Sequence, residues 1–283
     1  MKQRHKRYWF EKLSVILVWI IFIPANQIYA AQNIRILTVN PQQGSMIIGQ
    51  FTGEGELFFA NRKLTLDKEG YFVFGVGRDS STKAELIIRR GEAEEVHEIN
   101  IASRQWQVER VDGLPPETVS PKSPELLARI ARETKLVKAA RNTHSVYDYF
   151  KMSFIMPAKG RISGVYGSQR ILNGEPKNPH FGLDVANKLG TEVIAPADGV
   201  VTLAHADMFY SGGTLIIDHG FGISSSYIHL NSINVKLGQK VSQGELIATI
   251  GASGRASGPH LDWRLNWFQT RLDPALLINS NSM

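Results

Sequence analysis

Short segments in which apolar and polar residues alternate occupy the chain between residues 33 and 108, and Gly, Asn and Asp separate them. They lie at residues 35–39, 45–51, 56–59, 71–76 and 84–89. Alternation with a period of two is the pattern of strands that bury one face. This spacing is typical of an all-β sandwich, so we predict an immunoglobulin-like accessory domain over residues 31–110. It contains one histidine, His97, and no acid–base cluster, so we expect a structural or docking module.

The apolar period changes after a proline-rich stretch at residues 113–124. Ser123 can cap the free amides of a helix, Pro124 suits its first position, and Glu125 favours the positive end of its dipole. Apolar residues then recur at helical spacing as far as Ala140. We predict a helix within a linker over residues 111–149. It is expected to pack between domains, with a movable cover over the functional site as the alternative.

Residues 150–278 form a third segment, which is rich in glycine and β-branched residues. Strand-like stretches lie at residues 191–195, 199–206, 213–218, 224–230, 240–251 and 260–267. This pattern predicts a compact antiparallel β-domain with long loops, and a mainly β protein as a whole. The glycines do not follow the spacing of a phosphate loop, a dinucleotide-binding turn or a nucleophile elbow.

The first thirty residues have the pattern of an export signal. Five basic residues precede an apolar run at residues 13–23. This run is interrupted only by Ser14 and is followed by Pro24. A helix needs about 20 apolar residues to cross a bilayer. We therefore predict a cleaved signal peptide over residues 1–30 and a periplasmic location, with no permanent membrane span; an uncleaved anchor is the alternative.

Removal of this segment changes the charge of the chain. The full sequence has 32 basic and 26 acidic residues, and 27 and 25 remain because five basic and one acidic residue precede residue 31. The resulting charge of +2 gives no reason to expect nucleic-acid binding. The chain has no cysteine, which excludes disulfides and thiolate chemistry. A bound metal would need His, Asp or Glu ligands.

Five of the eight histidines lie in the third segment, which points to chemistry there. His180 and Asp184 offer one nitrogen and one oxygen ligand suitable for zinc. In an extended chain their α-carbons would lie about 13 Å apart, but Gly182 permits a bend. Further along, His260 and Asp262 point to the same face of a predicted strand. One can then act as a ligand while the other lies beside a bound water.

These elements, taken in order, resemble the lysostaphin/LytM-type metallopeptidase family over residues 160–274. The family's His-x-x-x-Asp pair is matched by His180 and Asp184, and its Tyr-x-His-Leu strand by Tyr227-Ile228-His229-Leu230. Further matches are Gly164-Val165-Tyr166-Gly167, Ala195-Pro196-Ala197-Asp198-Gly199, Asp218-His219-Gly220 and Gly238-Gln239-Lys240-Val241. The resemblance implies a β-domain of the duplicated-hybrid-motif type that holds one zinc ion, or another divalent metal.

The resemblance also implies roles for individual residues. His180 and Asp184 correspond to zinc ligands, and His229 and His260 to catalytic residues beside the metal-bound water. The third ligand of the family is the second histidine of a His-x-His strand, and Asp262 stands in that position here. Aspartate can bind zinc, so we predict Asp262 as the third ligand. We expect this set to be more negative than His-Asp-His, which lowers the Lewis acidity of the metal and favours a harder ion such as manganese.

Several other residues have weaker functional patterns. His205 and His219 are expected to serve packing or hydrogen bonding. Aromatic residues that alternate along a strand are more often core than groove; these are Trp263, Trp267 and Phe268. Three polar residues before His180 are candidates for recognising a peptide carboxylate or bordering the cleft: Arg170, Asn173 and Glu175.

The resemblance implies an exported metalloendopeptidase that hydrolyses peptide bonds in bacterial peptidoglycan by metal-activated water. One histidine would take the proton of the water, and the other would stabilise the oxyanion or protonate the leaving amine. Which of the two acts as the base stays open. The alternative is an inactive regulator that activates cell-wall amidases, with amidases or divisome proteins as partners. A third hypothesis is a binding module with a structural metal.

Overall fold

The computed structural model describes residues 33–111, 123–172, 175–176 and 178–278. The predicted signal peptide lies outside the described residues. Within those ranges, no helix is both long and apolar enough to cross a membrane.

Seven short strands form the N-terminal part of the molecule. They are β1 (Ile34–Ile36), β2 (Met46–Phe51), β3 (Glu56–Phe59), β4 (Arg62–Lys63), β5 (Tyr71–Gly75), β6 (Lys83–Arg90) and β7 (Ala93–Asn100). They make two antiparallel sheets, in the orders β1-β2-β5 and β4-β3-β6-β7. The alternation predicts β2, β3, β5 and β6 within two residues at each end. It misses β7, because that strand exposes most of its side chains and has almost no apolar face.

The two N-terminal sheets share an apolar core that continues into the rest of the molecule. Phe59 of one sheet lies 4.3 Å from Phe74 of the other, measured between ring centroids. Phe59 also lies 5.7 Å from Trp267, far along the chain. The core therefore crosses the predicted domain boundary. The immunoglobulin-like classification and the domain limits stay predictions.

β8 (Val108–Val111) lies at the end of the predicted accessory domain, and the predicted linker contains the single α-helix of the described residues, α1 (Pro124–Arg141). The helix begins as predicted, with the Ser123 hydroxyl accepting a 3.4 Å hydrogen bond from the Leu126 amide. Its apolar side is less covered than the pattern predicts, because Leu127 and Leu136 are about half exposed. Burial is concentrated at the C-terminal end, at Ala140 and Arg141.

Twelve further strands follow. They are β9 (Arg161–Gly164), β10 (Gln169–Leu172), β11 (Glu175–Pro176), β12 (Leu183–Ala186), β13 (Glu192–Ile194), β14 (Gly199–Met208), β15 (Gly212–Gly220), β16 (Ile223–Ile233), β17 (Lys240–Val241), β18 (Leu246–Ile250), β19 (His260–Trp267) and β20 (Thr270–Leu272). Ten of them form one sheet, whose main path is β17-β14-β15-β16-β19-β12-β9. β13, β18 and β20 pair along its side, and β8, β10 and β11 form a small separate sheet. Two 3₁₀ turns lie at Tyr149–Lys151 and Pro274–Leu277.

The centre of the large sheet positions the functional residues. β19 is flanked by β16 and β12, and its apolar side chains Leu261, Trp263 and Leu265 are fully buried on one face. Because successive side chains of a strand alternate, His260, Asp262 and Arg264 project to the other face. The mainly β architecture is confirmed, and the strand predicted at 260–267 has the predicted bounds.

His219 on β15 anchors a buried chain of hydrogen bonds. Its Nδ1 lies 2.7 Å from the Asp198 carbonyl oxygen, and its Nε2 lies 2.7 Å from the Ser225 hydroxyl. A carbonyl only accepts, so Nδ1 carries the proton and Nε2 accepts from Ser225. The Ser225 oxygen is then free to accept from the Tyr227 hydroxyl, 2.7 Å away. Burial lowers the pKa of His219 to about 4.

The free energy of unfolding is expected to fall as the pH is lowered from 6.5 to 4. In this range His219 binds a proton in the unfolded chain but stays neutral in the folded chain. The loss from this residue approaches about 3 kcal/mol below pH 4. His219→Gln should lower stability at pH 7.5 and flatten the pH dependence, as urea denaturation at several pH values would measure. His205→Gln, at a partly exposed histidine, is the control and should keep the wild-type slope. Equal slopes in wild type and His219→Gln would contradict the assignment.

Candidate metal centre and groove

The pairing of two strands brings the predicted acidic ligands together. β12 and β19 run antiparallel, with Asp184 directly opposite Asp262 and Ala186 opposite His260. Directly opposed residues of such a pair project to the same face, with β-carbons about 5 Å apart. The two carboxylates therefore share the polar face of the sheet.

His180 approaches the carboxylates from the turn before β12. Its amide donates to the Ser168 carbonyl over 2.7 Å, and its carbonyl accepts from the Gly167 amide over 2.8 Å. Donor atoms of His180, Asp184 and Asp262 lie within 4.8 Å of one another. The structure thus brings together the three residues predicted as ligands, and their role as ligands stays a prediction.

Two glycines make room for the carboxylates. Gly164 on β9 lies opposite Asp184, and a β-carbon at Gly164 would overlap the Asp184 carboxylate. A β-carbon at Gly182 would likewise overlap the Asp262 carboxylate. Any larger residue at either position would push a carboxylate away from the cluster. Gly182 therefore matters here for close packing and not only for the bend that the sequence predicts.

The cluster fits a divalent cation. His180 Nε2 and Asp184 Oδ1 are 3.2 Å apart, and both are buried without a hydrogen bond of good geometry. Buried polar atoms without partners are costly in a folded protein. One imidazole nitrogen and two carboxylate oxygens are ligands that zinc and related divalent metals accept.

Arg264 is the residue of this site that the sequence reasoning missed. Its Nε lies 2.9 Å from Asp262 Oδ1, and its terminal nitrogen lies 2.5 Å from Asp262 Oδ2. Burial alone would raise the pKa of Asp262, but the attraction of Arg264 and of His180 holds it below the usual value. The signal was present in the sequence, because residues two apart on a strand share a face.

The ion pair changes the expected charge of the site. Two carboxylates, one guanidinium and a neutral His180 sum to −1, the same charge as a His-Asp-His set. The expectation of a more negative ligand set left Arg264 out of account. One oxygen lone pair of Asp262 is still free, because a carboxylate has about four acceptor positions and Arg264 uses three.

His180 is held in a strongly negative environment. Burial lowers its pKa, but the attraction of Asp184 and Asp262 is greater and leaves the pKa raised. The site therefore attracts positive charge, whether as a proton on the imidazole or as a metal cation.

The two predicted catalytic histidines lie side by side at the same site. The ring centroids of His229 and His260 are 4.8 Å apart. His229 Nδ1 lies 2.8 Å from the Ser253 carbonyl, and His260 Nδ1 lies 2.8 Å from the Gly258 carbonyl. Each Nδ1 therefore carries a proton, which leaves each Nε2 with a lone pair when the ring is neutral. Burial is the main cause of a lowered pKa at His229.

The backbone at His229 is in the left-handed region, with φ of 65°. A non-glycine residue in a sparsely populated backbone region costs about 1–3 kcal/mol and persists only where its surroundings impose it. Here the amide of His229 donates to the Ser211 carbonyl over 2.8 Å, at the point where the pairing of β15 and β16 shifts. The residue in this unusual conformation is one of the two whose rings lie side by side.

The other candidate residues lie away from the cluster or outside its description. His219 is in the buried hydrogen-bond chain, and His205 Nδ1 accepts a 3.2 Å bond from the Asp207 amide. The three aromatic residues of 263–268 belong to the core and not to the groove. The side chains of Arg170, Asn173 and Glu175 lie outside the described residues.

A groove of about 1230 Å³ contains the whole cluster and both histidines. Its walls include the exposed side chains of Arg161 on β9 and Arg255 in the loop before β19. In the part of the chain that the structure describes, neither arginine has a carboxylate partner. Arg255 rests on the ring of Tyr210, 5.0 Å from its centroid.

Comparison with known proteins identifies this region. A family model described as peptidase family M23 matches residues 178–274, which include all five predicted site residues. The chain is 41% identical over 110 residues to peptidoglycan DD-endopeptidase ShyA of Vibrio cholerae, covering 38% of this chain and 25% of that protein. It is 31% identical over 134 residues to cell division protein DipM of Caulobacter vibrioides, covering 45% of this chain and 21% of that protein. The chain spans about a quarter of the length of these curated relatives.

A solved structure resembles nearly the whole chain. A crystal structure assigned to peptidase M23 from Pseudomonas aeruginosa has a TM-score of 0.66 and 29% sequence identity, covering 85% of this chain and 96% of that one. This likeness extends beyond the matched family segment into the N-terminal sheets. Residues 178–274 therefore match peptidase family M23, and the chain contains a domain of the lysostaphin/LytM type.

Proposed function

We propose that this protein is an exported zinc metalloendopeptidase that hydrolyses peptide bonds in bacterial peptidoglycan. The observation that carries the proposal is the convergence of His180, Asp184 and Asp262 on one point, beside two histidines in an open groove. The substrate class comes from the relatives, because ShyA is named as a peptidoglycan DD-endopeptidase. The periplasmic location rests on the pattern of residues 1–30.

The residues of the site have distinct tasks in this proposal. His180, Asp184 and Asp262 would hold the zinc ion, which would supply Lewis acidity toward the peptide carbonyl and the attacking water. His229 and His260 each direct a free Nε2 into the groove. One accepts the proton of the water and the other donates a proton to the leaving amine. Arg264 holds the Asp262 carboxylate in position by two parallel contacts.

A second candidate function is the inactive regulator of cell-wall amidases. The observation in its favour is that Arg264 engages both oxygens of Asp262 and can replace a metal as the counter-charge. Against it, the unpaired atoms of His180 and Asp184 face each other and gain nothing from Arg264. Metal content separates the two functions.

Purified wild-type protein is expected to hold about one zinc ion per chain and to release fragments from purified peptidoglycan. Asp262→Ala should lose both, with the affinity for zinc reduced more than about tenfold, because even outer partners of metal ligands are worth 10- to 100-fold. Arg264→Met should keep the metal but cleave more slowly, since the site loses a positive charge beside the ligands and becomes more negative. Mass spectrometry of the metal and chromatography of the fragments measure both effects.

Asp207→Ala is the matched control, because this carboxylate is exposed and, among the described residues, pairs with Arg129 on the helix. It should change neither metal content nor digestion. A wild type that binds no metal and digests nothing would reject the enzyme and favour the regulator.

His229→Ala and His260→Ala are each expected to reduce the rate of hydrolysis by about 10²- to 10⁴-fold, which is the usual contribution of a positioned acid or base. The bound metal should remain, because neither ring is among the three proposed ligands. His205→Ala is the control and should hydrolyse at the wild-type rate. Loss of the metal from His229→Ala or His260→Ala would show that the replaced histidine is a ligand.

The arginines of the groove offer a means of substrate recognition. Arg161 and Arg255 are exposed on its walls without acidic partners in the described chain. A guanidinium binds a carboxylate through two parallel hydrogen bonds. Peptide substrates carry carboxylates at the C-terminus and on acidic side chains. These arginines are therefore placed to orient a peptide along the groove.

Arg161→Ala and Arg255→Ala are each expected to raise KM for a carboxylate-bearing peptide by about tenfold, the value of one charged hydrogen bond. The change in kcat should be small, because neither side chain contacts the proposed ligands. If the carboxylate of the same peptide is converted to an amide, wild type should cleave that peptide with the KM that the variants show for the carboxylate form. If neither variant discriminates between the two peptides, the arginines have no part in recognition.

A further inference from the structure

A second cavity, of about 470 Å³, lies between α1 and the large sheet, and we call it the helix pocket. Residues of α1 form one wall. Met208, the turn after it and Arg271 of β20 form the other. It shares no lining residue with the groove that contains the metal centre.

Two arginines face this pocket without acidic partners. Arg141, the last residue of α1, is 8% exposed, and its Nε is buried without a hydrogen bond. Arg271 donates one bond, to the Asn266 side-chain oxygen 3.2 Å away. Throughout the described ranges, no carboxylate lies within ion-pair distance of either guanidinium. A buried charge of this kind normally has a partner, because removing it from water is costly.

The nearby carboxylates are already engaged. Asp262 is bound by Arg264, whose own positive charge repels Arg141. Glu133 lines the pocket but accepts from Arg129 over 2.7 Å and from the Phe209 amide over 2.8 Å. The helix dipole at Arg141 supplies only about −0.5 elementary charge. Two guanidiniums therefore remain largely uncompensated.

The polar face of the sheet beside this pocket adds further unused donors. Ser226 pairs with Arg264 and Ser224 with Asn266, and Asn266 pairs with Arg271 across β19 and β20. The hydroxyls of Ser224 and Ser226 are buried and have no hydrogen-bond partner. A hydroxyl can donate as well as accept, so each of these serines has an unused O–H that can donate to an anion.

We propose that the helix pocket is a binding site for a small oxyanion, a phosphate or a carboxylate group, held between Arg141 and Arg271. Guanidinium groups match such anions through paired hydrogen bonds. The volume lies in the range of small-molecule sites. Burial lowers the pKa of both guanidiniums, and a bound anion would offset that cost of burying their charge. This site is independent of the proposed peptidase activity.

The test titrates the full chain, stripped of metal by a chelator, with inorganic phosphate and separately with acetate at constant ionic strength. Calorimetry should show one saturable site per chain for at least one of the two anions, which also identifies the preferred group. Arg141→Met should weaken binding by about tenfold or more, the value of a charged hydrogen bond. Arg141→Lys should retain part of it, because the charge stays while the paired geometry is lost.

Two matched variants locate the site. Arg132→Met removes the same charge from an exposed position of the same helix and should bind as wild type does. Asp184→Ala disrupts the metal centre and should also bind normally, since its groove is separate. In chloride alone, Arg141→Met should melt at a higher temperature than wild type, because an unpaired buried charge is gone.

Three results would overturn the proposal. The first is that neither anion binds saturably, which would mean that the pocket binds no oxyanion. The second is equal weakening in Arg132→Met, which indicates a general surface effect. The third is loss of binding in Asp184→Ala, which places the anion at the metal centre.

Discussion

The ion pair between Asp262 and Arg264 is the interaction on which the rest of the site depends. β12 and β19 place two carboxylates directly opposite each other in a buried position, and like charges at that distance oppose ionisation. Arg264 removes this conflict by binding Asp262 on both oxygens. Asp184 can then face His180, whose raised pKa shows how strongly the site attracts positive charge. A divalent cation bound by His180, Asp184 and Asp262 would satisfy the same negative charge that raises this pKa.

The backbone sets the distances that these pairs need. A strand offers side chains on one face only at every second residue. The cluster therefore draws on several elements, with one proposed ligand from β12, one from β19 and one from the turn before β12. The carboxylates fit because Gly164 and Gly182 leave no β-carbon in their way. The spacing of the side chains at the candidate metal centre thus depends on the strand register and on the two glycines.

The sequence predicts much of this arrangement, and its failures have physical causes. The helix start at Ser123 and the bounds of β19 follow from local rules, because capping and strand alternation depend on neighbouring residues. β7 escapes prediction because its side chains are mostly exposed. Arg264 escapes it because a motif names ligands and not their counter-charges. The helix pocket depends on Arg141 and Arg271 meeting across 130 residues, and no local pattern carries that information.

The two histidines show how geometry limits the chemistry of the site. Both Nδ1 atoms are committed to carbonyl acceptors, so each ring exchanges protons only through Nε2. With ring centroids 4.8 Å apart, a proton on one ring opposes a proton on the other, and His260 contributes to the lowered pKa of His229. Hydrolysis of a peptide bond needs one group that takes a proton and one that gives it. His229 is also held in the left-handed region of the backbone, and such strain is concentrated at functional sites, which agrees with a catalytic role for this residue in the proposed reaction.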